Sequence, residues 1–168
     1  MSHIYTLGYA PIDRGKPMEL TLREFDMIVH SINPDILIDV RGGPTRTSGF
    51  GSKQIAARHP QYERRAAGLG NWPAWGNTVT QAGLDRLVSD AYHKRIVIFC
   101  HCGLPYRRVG LSPCHRHGLI ATAVHHEITV KHIFKGGPNG ELFAVDSKEL
   151  ERWLQNGQRG IYLGEDFP

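Results

Sequence analysis

The chain has 168 residues, of which 40% are apolar and 9% aromatic, with a mean hydropathy of −0.33; this suits a single domain over residues 1–168 and excludes a disordered chain. No apolar run approaches the ~18–20 residues needed to span a bilayer, and no basic region precedes an apolar stretch at the N-terminus, so the expectation is a cytoplasmic protein with no membrane partner. The formal net charge is only +4, so any strongly basic surface has to come from local concentration of arginine.

Residues 4–7 form a short β-prone run that Gly8-Tyr9-Ala10-Pro11 stops. Thr21-Leu22-Arg23-Glu24 has capping-box spacing and opens a helix with Leu22, Phe25, Ile28, Val29 and Ile32 on one face, ended by Asn33-Pro34. Residues 35–40 predict a second strand, apolar enough for the interior of a parallel sheet. Residues 41–79 are irregular, rich in Gly, Arg and aromatics, and of a length that implies function or minor helices. Thr80 opens a helix through Leu84, Leu87, Val88 and Ala91, and residues 95–100 are the clearest strand of the chain. After a second loop, Ser112-Pro113 predicts the start of a helix carrying Cys114, Leu119, Ile120, Ala123 and Val124. A strand over residues 128–134, a turn at 135–140 and a last helix opened by Asp146-Ser147 complete the pattern, and the tail from Asn156 has none.

This alternation predicts a three-layer α/β fold with a mainly parallel sheet of four to five strands, Rossmann-like, with long basic loops at the carboxyl ends of the strands. Ligands of such folds lie beyond those ends. The two basic segments leave from two of them: residues 41–84 hold Arg41, Arg46, Lys53, Arg58, Arg64 and Arg65 against Glu63 alone, and residues 93–120 hold Lys94, Arg95, Arg107, Arg108 and Arg116 against no acid. Arginine's planar fork suits phosphate.

The most informative segment holds Cys100, His101, Cys102, Cys114, His115, Arg116 and His117. Three clustered cysteines argue for reduced thiols over a disulfide framework. Cys100, Cys102, Cys114, His115 and His117 are candidate ligands of zinc or iron. Alternatively, His101-Cys102 followed by Arg108 has the spacing of a cysteine phosphatase, and the 39–41 strand end with a later cysteine loop is similar to rhodanese sulfurtransferases. In a third reading Cys114 lies in the first turn of a helix, where the dipole favours a thiolate. Histidines 30, 59, 93, 125 and 126 read as surface or helix-end residues, and His132 as a hydrogen-bonded core histidine.

Taken in order, Ile4-Tyr5-Thr6-Leu7-Gly8-Tyr9, Leu37-Ile38-Asp39-Val40-Arg41 with Pro44 and Phe50, Tyr62, Leu69-Gly70, Ile98-Phe99-Cys100, Leu104-Pro105-Tyr106-Arg107, Cys114-His115-Arg116 and Val130-Lys131-His132-Ile133 resemble the bacterial and phage family of domain of unknown function 488. The resemblance covers residues 3–134. It departs at Cys102, where that family usually has glutamate, and in the extra residues between Arg107 and Cys114. It supplies positions more than a reaction.

These readings converge on an enzyme acting on nucleic acid or a nucleotide. Asp39, Cys100, Cys114 and His115 are the catalytic candidates. Tyr9, Arg41, Arg46, Arg107, Arg108 and Arg116 are candidates to bind substrate or phosphate, and Trp72 and Trp75 to stack on a base. The competing expectations are a phosphatase or sulfurtransferase, a binding module without catalysis, and a metal-binding protein.

Overall fold

The computed structural model describes residues 3–10, 20–45, 49–102, 114–136, 140–156 and 165–166. Its main sheet has seven strands: β1 (His3–Ala10), β2 (Ile36–Asp39), β3 (Tyr62–Arg64), β6 (Ile96–Cys102), β7 (Thr129–Gly136), β8 (Glu141–Asp146) and β9 (Glu165–Asp166). A separate hairpin pairs β4 (Gly70–Trp72) with β5 (Asn77–Val79). The order across the main sheet is β3-β2-β6-β1-β7-β8-β9. The first five are parallel, and β8 and β9 add antiparallel.

The α/β architecture and mainly parallel sheet are as the sequence predicts, with two or three more strands than the expected four to five. β3 was hidden because three residues, Tyr62, Glu63 and Arg64, carry no apolar run. β8 follows a turn and alternates buried Phe143 and Val145 with partly exposed Leu142 and Ala144, a period-two signal too short to stand out.

Helices α1 (Leu22–Ile32) and α2 (Ser52–Arg58) cover one face of the sheet; α3 (Ala66–Leu69), α4 (Gln81–Ala91) and α5 (Thr122–Val124) cover the other. The division follows from chain direction. β1, β2 and β3 step one way across the sheet, and β6 and β7 step back. Crossovers of one hand therefore put the two sets of helices on opposite faces. β1 leads to α1 on one face, while its neighbour β6 leads to α5 on the other. The ends of β1 and β6 are thus the topological switch point, the usual ligand position in open α/β sheets.

The capping box at α1 forms as its spacing predicts: the Thr21 hydroxyl accepts from the Glu24 N–H at 3.2 Å, and Glu24 accepts from the Thr21 N–H at 2.7 Å. Asn33 ends the helix in the left-handed region at φ 48°. Within the stretch expected to be irregular, residues 52–79 hold α2, β3, α3, the β4–β5 hairpin and a 3₁₀ turn at Pro73–Trp75.

The rim on the α1/α2 face is tied together by a buried ion pair. Asp39 is fully buried and accepts from Arg41 Nε at 2.8 Å, from Nη2 at 2.7 Å and from the Arg41 backbone N–H at 3.0 Å. The Tyr62 hydroxyl donates to the same carboxylate at 2.8 Å. Arg41 Nη1 donates to the Tyr9 hydroxyl at 2.9 Å and to the Phe50 carbonyl. The guanidinium also lies 5.0 Å from the centre of the Phe99 ring. Burial opposes the Arg41 charge, but bonding to Asp39 holds its pKa above the ordinary arginine value.

Asp39→Ala leaves Arg41 charged in this dry site and is expected to cost about 3–5 kcal/mol in urea denaturation. The double variant Asp39→Ala with Arg41→Met should lose less. A loss well under 1 kcal/mol for Asp39→Ala would show that the pair does not brace the rim.

Candidate functional site

Cys100, at the end of the apolar run of β6, points to the face covered by α3, α4 and α5, as do Val40 and Cys114. Phe99 and Tyr9 point to the opposite face, and His101, whose Nδ1 is 3.4 Å from the Tyr9 hydroxyl, goes with them. Alternation along a strand therefore divides the sequence-predicted site residues into two groups at one rim. Cys100, Cys102, Cys114, His115 and Arg116 gather on one face. Asp39, Arg41 and Tyr9 gather on the other.

The sequence grouped Asp39 with Cys100, Cys114 and His115 as catalytic candidates; the structure turns Asp39 to the face opposite the thiols. The Asp39 carboxylate is engaged by Arg41, Tyr62 and, at 3.4 Å, the Ser52 hydroxyl. Arg41, expected at phosphate, is 6% exposed and turned inward. Arg46, Arg107 and Arg108 lie outside the described residues. Trp72 and Trp75 are 45% and 58% exposed.

The thiol group is compact. Cys100 Sγ is 3.4 Å from Cys114 Sγ, and Cys114 Sγ is 3.8 Å from His115 Nδ1. The donor atoms of Cys100, Cys114 and His115 all lie within 4.8 Å of one another. Cys102, half-buried, interacts with both other thiols. Cys114 lies two residues before a π-helical segment, Arg116–Ala121, that runs into α5. Its carbonyl accepts from the His117 and Gly118 N–H groups at 2.9 and 2.8 Å, so the cysteine stands just ahead of the helix and not within its first turn as expected; Ser112 and Pro113, read as the helix start, lie outside the described residues.

Arg116 is fully buried and donates from Nη1 toward Cys100 Sγ at 3.9 Å. A dry guanidinium needs negative charge nearby. Hydrogen bonds from Cys100 and Cys114, with the Arg116 charge, pull the Cys102 thiol far below the ordinary range, while burial pushes Cys100 up. Cys114 is lowered by its bond with Cys100, but Cys102 and burial outweigh this and raise it overall. These directions favour a thiolate within the cluster, beside the Arg116 cation. Burial lowers His115, leaving a neutral imidazole able to act as a ligand.

Gly8 is the neighbour that makes this possible. It pairs with Cys100 across the β1–β6 ladder, and a methyl group at its position would overlap the Cys102 carbonyl and the Arg116 guanidinium.

His117, expected among the metal ligands, is engaged elsewhere. Its Nδ1 is 2.9 Å from His132 Nε2, and its Nε2 is 2.9 Å from Glu151 Oε2 on α6 (Ser147–Gln155). His132 Nδ1 is 2.6 Å from the Thr6 hydroxyl. With Glu151 ionised, one set of tautomers satisfies every contact. Thr6 donates to His132, His132 to His117, and His117 to Glu151. The core reading of His132 fits this chain; the link to His117 was invisible because Glu151 is 34 residues away. His59, read as a helix-end residue, does end α2 but is also buried, with Nε2 2.7 Å from Asp26.

Burial lowers both His117 and His132 below the ordinary value of 6.5. The unfolded chain therefore binds more protons as pH falls through ~6.5, so stability is fully present above that value and declines below it. Thermal melts from pH 7.5 to 5.5 should show this decline, and His132→Gln should flatten it; an unchanged slope would contradict the neutral chain. Gly8→Ala should displace Arg116 and reduce the thiolate absorbance of the native protein at pH 7, whereas wild-type absorbance would contradict the role given to Gly8.

No family model, no curated protein and no solved structure matches the chain.

Proposed function

We propose that the chain is an enzyme acting on nucleic acid or a nucleotide, with a reaction centre that binds zinc or iron through Cys100, Cys102, Cys114 and His115. The observation that carries this reading is the convergence of the Cys100, Cys114 and His115 donor atoms within 4.8 Å of one another at the carboxyl end of β6.

Zinc–sulfur bonds of ~2.3 Å at tetrahedral angles separate two sulfurs by about 3.8 Å, and a sulfur from an imidazole nitrogen by about 3.5 Å. The separations of 3.4 Å between Cys100 and Cys114 and 3.8 Å between Cys114 and His115 lie within a few tenths of an ångström of these. Three thiolates around a divalent ion leave one net negative charge. Arg116, against Cys100, supplies the compensating positive charge. The half-buried position of Cys102 puts one side of the centre toward solvent, where substrate can approach. With Cys102 displaced by water or substrate, a metal held by Cys100, Cys114 and His115 would supply Lewis acidity or an activated water. The nucleic-acid part draws on the two basic segments and on the exposed tryptophans.

The lowered Cys102 thiol also supports a second reading, a metal-free thiolate nucleophile of the phosphatase or sulfurtransferase kind. Metal content separates the two. Protein purified anaerobically without added metal should carry about one zinc or iron per chain. Cys100→Ser and Cys114→Ser should weaken zinc binding well over tenfold, and Arg116→Met about 10- to 100-fold as an outer-shell partner. Chelation should abolish turnover of nucleic-acid or nucleotide substrates. Failure to bind zinc, combined with rapid alkylation at Cys102 alone, would overturn the metal reading in favour of the nucleophile.

A further inference from the structure

The β4–β5 hairpin holds two large side chains in water. Trp72 ends β4, Trp75 ends the 3₁₀ turn, and Gly76 closes the loop in the left-handed region at φ 68°. The rings meet edge to face, with centroids 6.3 Å apart and an interplanar angle of 61°. Core packing does not account for them, since both are about half exposed.

Trp72 is held firmly in place. A side-chain carbon at Gly43 would sit 3.0–3.2 Å from its ring atoms, so residue 43 is flush against the indole. Asn77 Nδ2 donates to the Gly42 carbonyl at 2.6 Å and ties the hairpin to the same stretch. Arg64, exposed at the end of β3, donates from Nη2 to the Arg41 and Gly43 carbonyls at 3.2 and 3.3 Å. Its guanidinium is thereby tied to the Arg41–Gly43 stretch against which Trp72 rests.

The hairpin belongs to the same layer of the fold as the thiol cluster. The layer that carries the hairpin, through Leu69 and Val79, also contains Val40, Cys100 and Cys114. The Val40 backbone is hydrogen-bonded to His115, and Gly43 follows three residues later, within about 11 Å of chain reach.

We propose that Trp72, Trp75 and Arg64 form a stacking platform for single-stranded nucleic acid that leads to the Cys100–Cys114–His115 centre. Two exposed aromatic rings with a cation on the adjoining stretch offer stacking surface to unpaired bases and a contact for a backbone phosphate. A duplex keeps its base faces stacked and offers none to the rings. A protein partner would need roughly 800 Å² on this side, and the other large exposed apolar residues among those described, Met27, Tyr92 and Leu119, belong to α1, the end of α4 and the π-helical segment. This inference rests on the nucleic-acid half of the reading above and is independent of the metal.

The test is fluorescence anisotropy of a short fluorescein-labelled oligodeoxythymidylate, its duplex with oligodeoxyadenylate as a second probe, and thymidine monophosphate as competitor. Trp72→Ala and Trp75→Ala should each weaken strand binding about tenfold, with Trp72→Phe retaining most of it. Arg64→Ala should reduce the slope of log affinity against log salt by about 0.7. Metal content should be unchanged in all of these variants. Strand binding indifferent to both alanine substitutions would overturn the platform. Duplex binding without dependence on the tryptophans would overturn it while leaving the nucleic-acid reading in place, and binding to neither probe at low salt would overturn both. Displacement of the strand by equimolar thymidine monophosphate would overturn it in favour of a mononucleotide site.

Discussion

A fully buried guanidinium against a sulfur cluster is the constraint around which this rim is organised. Arg116 enters the interior from the start of the π-helical segment, passes over Gly8 and reaches Cys100. An unpaired charge there would be costly, and a thiolate among the neighbouring sulfurs offsets it. The three cysteines share that duty unequally. Burial raises the two deeper thiols, and their hydrogen bonds together with the Arg116 charge lower the half-buried Cys102. A divalent soft metal in the same place would let all three ionise without changing the need for Arg116. The site is therefore suited to metal by charge as well as by spacing.

The topology explains why the chemistry collects here. β1 and β6 are neighbours whose following segments lead to opposite faces. Between their ends Gly8 leaves the space that the Cys102 carbonyl and the Arg116 guanidinium occupy. On one face Asp39, Arg41 and Tyr9 make an internal brace that holds β1, β2 and the segment around Phe50 in register. On the other face the thiols and His115 converge. Brace and centre share a rim but have different work: the brace uses up its donors and acceptors internally, and the centre leaves Cys102 partly in water.

Much of this was legible in the residues. The capping box at Thr21, the strand preceding Cys100 and the clustering of thiols at a strand end all follow from local pattern, and local pattern survives folding. The division into two faces was not legible. Alternation says that Asp39 and Val40 point opposite ways, but only the β2–β6 register, which aligns Asp39 with Phe99, tells which of them joins Cys100. The histidine chain was hidden for a related reason, since Thr6, His117, His132 and Glu151 come from four separate elements. Arg41 misled because arginine beside glycines at a strand end has the same appearance whether it awaits a phosphate or grips a carboxylate two residues back.

X-ray absorption fine structure of the zinc-loaded protein tests the central claim most directly, because it reads the donor atoms without relying on activity. A shell dominated by sulfur at ~2.3 Å with one nitrogen at ~2.0 Å is the predicted result. A shell of nitrogen and oxygen alone would place zinc elsewhere and leave the cysteine cluster as a thiolate held by Arg116, with no metal to serve.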